Sequence, residues 1–127
     1  MPVRLRLGRL RSSADFGRVK QEGQYWSSRR CAVNAARQPT PDTQGNTVQA
    51  VTRVGFITSK RIGNAVQRNR ARRLLRESMR ALGPMIEPCW DIVVIAHPPI
   101  ATLGVHMQDV RDELQWLLKR AHLIQTG

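Results

Sequence analysis

Cysteine is almost absent from the chain: Cys31 and Cys89 are the only two in 127 residues, far apart and with no CxxC pairing. That scarcity excludes a disulfide-dense secreted scaffold and suits a reduced, cytoplasmic setting, with a bridge between the two left open. Long apolar runs are missing as well. The longest, IVVIA at 92–96, is strand-sized and far short of a membrane span. The opening MPVRLRLGRLR alternates charge with leucine, where a signal peptide would be continuously apolar. Acids are few. Nine carboxylates are scattered over the chain, and no hydrolytic pair stands out among them. There is no GxSxG nucleophile, no Walker loop, and no zinc-ligand spacing among Cys31, Cys89, His97, His106 and His122. Asp109, Asp112 and Glu113 could in principle hold a hydrated Mg²⁺, but Arg111 sits among them, and a solvated acidic helix face is the plainer reading. No metal site is expected, and no self-contained active site.

What the chain has in excess is positive charge. Twenty-one lysines and arginines against nine acids give a net charge of +12 and a pI near 11.6. Such a balance points to a polyanionic partner, nucleic acid first and an anionic membrane surface second. Eighteen of the cations are arginine. That bias suits guanidinium contacts with phosphates and bases, and a GC-rich genome would also produce it. An apolar fraction of 41% is adequate for a core, and the length suits one domain.

The charge is concentrated. GNAVQRNRARRLLRESMR, residues 63–80, holds six arginines beside one acid, Glu77, with Lys60 and Arg61 just upstream. Asn64 and Gln67 make a capping pair at its start, and Gly83-Pro84 closes it. At 100° per residue, Ala71, Leu74, Leu75, Ser78, Met79 and Leu82 share one arc. Asn69, Arg72, Arg73, Arg76 and Arg80 share the opposing one, with Arg68 and Arg70 on the flanks. Like charges at these spacings repel, so an outside countercharge is expected.

Elsewhere, SSADFGRVKQEG reads as a helix capped by Ser12 or Ser13 and stopped by Gly23, with Phe16 and Val19 facing inward. Residues 25–37 are weakly strand-like, 38–49 a loop, 50–59 an alternating strand and 90–96 a buried strand ended by Pro98 and Pro99. Met107, Val110, Leu114, Leu117, Leu118 and Ala121 recur at helical spacing. The order is that of an α+β sandwich with helices against a small sheet.

The run RVGFITSKRIGNAVQRNRARRLLRES, 53–78, resembles the signature of the protein subunit of bacterial ribonuclease P, centred on Arg68, Asn69 and Arg70. RLRSSADFGRVKQEG is similar to that family's first helix, WDIVVIAHP to its buried strand, and the end to its last helix. The resemblance implies a single RNA-binding domain over 1–127, with the fold spanning about 5–124 and short flexible ends. The implied fold is an α-β-β-β-α-β-α two-layer sandwich, ribosomal protein S5 domain 2-like, with a left-handed βαβ crossover.

By the same resemblance, the chain assembles as a monomer with one catalytic RNA and acts on precursor tRNA to remove its 5′ leader. The RNA, not the protein, would hold the Mg²⁺. Lys60, Arg61, Arg68, Asn69, Arg70, Arg72, Arg73 and Arg76 match the RNA-docking motif, and Phe16, Lys20, Cys31 and Asn34 fall at the leader-cleft positions. Lys20, Cys31 and Asn34 depart from the aromatic or bulkier apolar residues of many relatives, which shifts the expected balance from base stacking to phosphate attraction. Phe16 keeps two readings, plain core or partly exposed stacking platform. A ribosomal-type RNA-binding protein is the alternative for the whole chain. A groove-reading DNA helix lacks the helix-turn-helix or zipper pattern that would carry it.

Overall fold

A computed structural model describes residues 7–39 and 51–124. Most of the expected 38–49 loop, and the outermost residues of both chain ends, lie outside that range. The elements run β1 (Gly8–Arg9), α1 (Ser13–Glu22), β2 (Gln24–Ser27), β3 (Cys31–Arg37), β4 (Arg53–Ile57), α2 (Ala65–Leu82), β5 (Trp90–Ala96) and α3 (Met107–Arg120). The expected α-β-β-β-α-β-α order is present, with the two-residue β1 added ahead of it. Short 3₁₀ turns at Lys60–Ile62, Gly83–Met85 and Pro98–Ala101 join the later elements.

The strands form one mixed sheet in the order β1-β4-β5-β3-β2. β5 is its centre, parallel to β4 and antiparallel to β3, and α2 provides the crossover between the two parallel strands. Alternation then sorts the side chains. Val33, Ala35, Val54, Ile92 and Val94 enter the main core beneath α2 and α3, together with Leu75, Met79, Leu114, Leu117 and Leu118. On the opposite face α1 packs through a smaller cluster of Leu10, Val19, Ala36 and Val93, with Phe16 and Ile95 at its margin. Two helices therefore cover one side of the sheet. One covers the other, and only in part.

The local signals work as the residue types dictate. Ser12 Oγ accepts from Asp15 N at 3.0 Å, so Ser12 caps α1. Asn64 and Gln67 exchange side-chain and backbone bonds, both at 2.9 Å, to cap α2. Gly63 just ahead has φ +144, and a Cβ there would stand 1.9 Å from Gln67 Oε1. Only glycine fits that turn.

Cys31 pairs with Ala96 at one end of β3, whereas Gln38 N donates to the Cys89 carbonyl beyond the other end. Seven strand residues separate them by roughly 20 Å, and a disulfide needs Cα atoms within about 7 Å. The bridge left open by the sequence does not form in this fold.

Candidate nucleic-acid interface

α2 is held by its apolar arc. Ala71, Leu75, Ser78, Met79 and Leu82 are buried and Leu74 is half-buried, which turns Asn69, Arg73, Arg76 and Arg80 out to solvent. Lys60 and Arg61 are exposed in the turn that delivers the chain from β4 into α2. Among the described residues, none of Lys60, Arg61, Arg68, Arg70, Arg72, Arg73, Arg76 or Arg80 is ion-paired to a carboxylate; the pairs that form involve Arg18, Arg30, Arg53 and Arg111. Two of the eight are instead oriented by neutral acceptors. Arg72 donates to Thr58 Oγ1 at 2.9 Å and to Asn69 Oδ1 at 3.4 Å, and Arg70 donates to the Val105 carbonyl at 2.6 Å. The structure thus brings the expected docking residues onto one surface, with Asn69 aiming an arginine rather than standing apart.

The cleft set is divided. Phe16 is half-buried, with its ring pressed on the backbone of Gly55, where a Cβ would lie 2.4 Å from the ring. Lys20 is exposed one turn further along α1. Asn34 lies on the same sheet face, 9% exposed, and its Oδ1 has no hydrogen-bond partner among the described residues. Cys31 does not belong with them. It is three residues from Asn34 on one strand, and the period of two sends its side chain to the other face, into the core beside α3. Its place in the cleft is corrected on that ground.

Two exposed apolar residues enter that face instead. Tyr25, paired with Asn34 across β2 and β3, is 54% exposed, and Ile57, paired with Ile95, is 39% exposed. The open floor beside α1 is therefore more apolar than the sequence-based set suggests.

Two ionic knots frame this architecture. Asp91 is fully buried at the start of β5 and accepts from Arg53 Nε at 2.9 Å and Nη2 at 2.7 Å, from Gln38 Nε2 at 3.2 Å, and from Arg18. Arg18 also donates to the Arg37 carbonyl at 3.1 Å, so this network fastens α1 to the sheet. On the other side Glu113 turns inward from α3. It accepts from Arg30 N at 2.6 Å, Arg30 Nη1 at 3.0 Å and the Ser28 hydroxyl.

Burial opposes ionisation of Glu113, but the Ser28 and Arg30 hydrogen bonds outweigh it and hold the carboxyl below its usual range. Burial first, and then the Glu113 charge, push the Cys31 thiol up to about 12, so it stays protonated and unreactive at neutral pH. Asp109 accepts from His106 N at 2.9 Å as the start of α3, and Asp112 is exposed beside Arg111. The three acids of α3 thus point three ways. Among the described residues no group of three or more His, Cys, Asp or Glu is placed to hold a metal ion, and no helix is long and apolar enough to cross a membrane.

Because the folded state lowers the Glu113 pKa, its contribution to stability is complete above the unfolded value near 4.5 and is lost as pH falls through the folded one. Glu113→Gln should therefore destabilise the protein at neutral pH, with the deficit shrinking in urea titrations near pH 3. A deficit independent of pH would mean that the Ser28–Arg30 contacts do not depend on the charge.

Fold and surface together define an α+β protein with, on one face of its sheet, a helix whose arginines meet no carboxylate among the described residues, and on the other an open, partly aromatic cleft. A family model described as Ribonuclease P matches residues 5–122, and the chain belongs to that family, among its protein components. It is 38% identical over 119 residues to the ribonuclease P protein component of Roseiflexus sp. (strain RS-1), covering 94% of this chain and 89% of that one. To the component from Symbiobacterium thermophilum it is 37% identical over 117 residues, covering 92% and 93%. The fold resembles the RNase P protein of Staphylococcus aureus with a TM-score of 0.75 at 27% identity, over 94% of this chain and 100% of that one. For the Thermotoga maritima protein the TM-score is 0.73 at 28% identity, over 88% and 96%.

Proposed function

We propose that the chain works as the protein subunit of a ribonuclease P ribonucleoprotein, one copy to one catalytic RNA in the cytoplasm. It promotes endonucleolytic removal of the 5′ leader from precursor tRNA. The observation that carries this reading is the surface of α2 and its entry turn, where eight cations have no carboxylate partner among the described residues. Phosphates of the RNA supply the missing countercharge, and the release of their condensed ions drives binding. The Mg²⁺ and the groups that activate water belong to the RNA in this reading, which fits the dispersed acids of the protein.

The α1 cleft suits the single-stranded leader. Phe16 and Tyr25 offer faces for bases, Ile57 an apolar floor and Lys20 a contact for phosphate, while Asn34 is buried against Gly23 at the end of α1. Phe16 is half-buried, so both readings of it have weight: it packs on Gly55 and still shows part of its ring.

In reconstituted holoenzyme, Phe16→Ala should weaken binding of precursor tRNA with a long leader by about 1–3 kcal/mol and leave leaderless tRNA unaffected. Arg68→Ala should weaken assembly with the catalytic RNA and so affect both substrates. Equal losses for both substrates with Phe16→Ala, or an unfolded variant, would remove the cleft assignment.

A further inference from the structure

A groove of about 660 Å³ lies between β1 and the C-terminal half of α2, on the face of the sheet away from the α1 cleft. Its floor is apolar, with Val54, Phe56 and Met79, and Arg9, Arg76 and Arg80 line it from a strand and a helix. All three arginines are exposed, and among the described residues none meets a carboxylate. Arg80 has a local reason to be there, since a cation is favourable in the last turn of a helix. That reason does not extend to Arg9, which arrives from β1, or to Arg76, just over one turn before Arg80.

We propose that this groove takes one unpaired nucleotide of the partner RNA, with its base on the apolar floor and its phosphates on Arg9 and Arg76. The proposal rests on the ribonucleoprotein reading above. An unstacked nucleotide has the two chemistries the groove offers, a flat apolar face and an attached anion. The volume falls within the usual range for a site holding one small molecule, about 300–1,000 Å³. The surface is also continuous with the docking helix, because Arg76 follows Arg72 by four residues on the same side of α2, so a strand tracking α2 reaches the groove. Phosphate belongs at the Arg9–Arg76 end, since the carbonyl end of α2 near Gly83 repels anions.

The test uses holoenzyme assembled with ribonuclease P RNA that carries sparse 4-thiouridine, irradiated and mapped by mass spectrometry. Crosslinks are expected on peptides containing Phe56 or Met79. Arg9→Ala should reduce them about tenfold and flatten the log–log salt slope of assembly by roughly 0.7–0.9. Gly83→Leu provides a plug: φ there is −47, which any residue adopts, and a Cβ would point at Leu7 from 3.4 Å. The plug should abolish groove crosslinks while circular dichroism shows a folded variant that still unfolds cooperatively. Crosslinks confined to Arg68–Arg73, or groove crosslinks that survive the plug, overturn the proposal and leave RNA docking by α2 intact. Loss of all salt-dependent assembly in the unmodified protein removes both readings. Isolated protein titrated with adenosine monophosphate should show no saturable binding below millimolar concentration; micromolar binding would reassign the groove to a free nucleotide.

Discussion

Asp91→Ala should lower the unfolding free energy by about 3–5 kcal/mol, a large part of the margin of a domain this size. The carboxylate is fully buried and is shared by Arg53, Arg18 and Gln38. Its removal takes the shared buried acceptor from both guanidinium groups, leaving Arg18 the Arg37 carbonyl at 3.1 Å and Arg53 only Asp15 at 3.5 Å. Replacing the whole network with apolar residues is a different experiment. Arg18→Met, Arg53→Met and Asp91→Leu together should recover most of the loss, because a buried ion pair contributes little net stability against well-packed hydrocarbon. Urea unfolding followed by circular dichroism measures both variants. A loss below about 1 kcal/mol for Asp91→Ala would show that solvent reaches the site and replaces the carboxylate.

Arg73→Ala combined with Arg76→Ala should weaken assembly with the catalytic RNA by roughly 25- to 60-fold near 0.1 M salt, and flatten the salt slope by roughly 1.4–1.8. Both side chains are exposed and, among the described residues, neither makes a hydrogen bond or ion pair. The folded protein should therefore change by no more than about 0.5 kcal/mol. That combination of large binding loss and unchanged stability separates a docking surface from a structural one. Arg72 is less clean, since its bonds to Thr58 and Asn69 tie it to the fold. An unchanged slope in the double variant would place this face of α2 away from the RNA.

Much of this was legible from residue order. The boundaries of α2 follow from Asn64, Gln67 and the Gly83-Pro84 stop, and its two faces follow from 3.6-residue spacing. β5 matched the WDIVVIA run residue for residue. β1 was not visible, because two residues carry no periodic signal and depend on β4 for their pairing. The cleft failed at Cys31 for a reason already present in the numbers. Positions 31 and 34 differ by an odd count and cannot share a face of one strand.

Tyr25 and Ile57 were missed because only the β2–β3 and β4–β5 registers show which face they join. Asp91 did leave a trace, as an acid opening an otherwise apolar strand, which calls for buried partners. Arg18 and Arg53 lie 73 and 38 residues away from it, beyond the reach of local pattern. The charged face of α2 could be read because a helix arranges its own sides, whereas the cleft and the Asp91 network are assembled by the sheet.

Cleavage of precursor tRNA by a bacterial ribonuclease P RNA at low Mg²⁺, with and without the purified chain, tests the central claim most directly. The RNA alone should cleave slowly under these conditions, and the chain alone, freed of RNA by nuclease treatment, should not cleave at all. Together they should release the 5′ leader at the mature tRNA end, at a rate that saturates near one protein per RNA. No stimulation by the folded chain, or site-specific cleavage by the protein without RNA, would contradict the account.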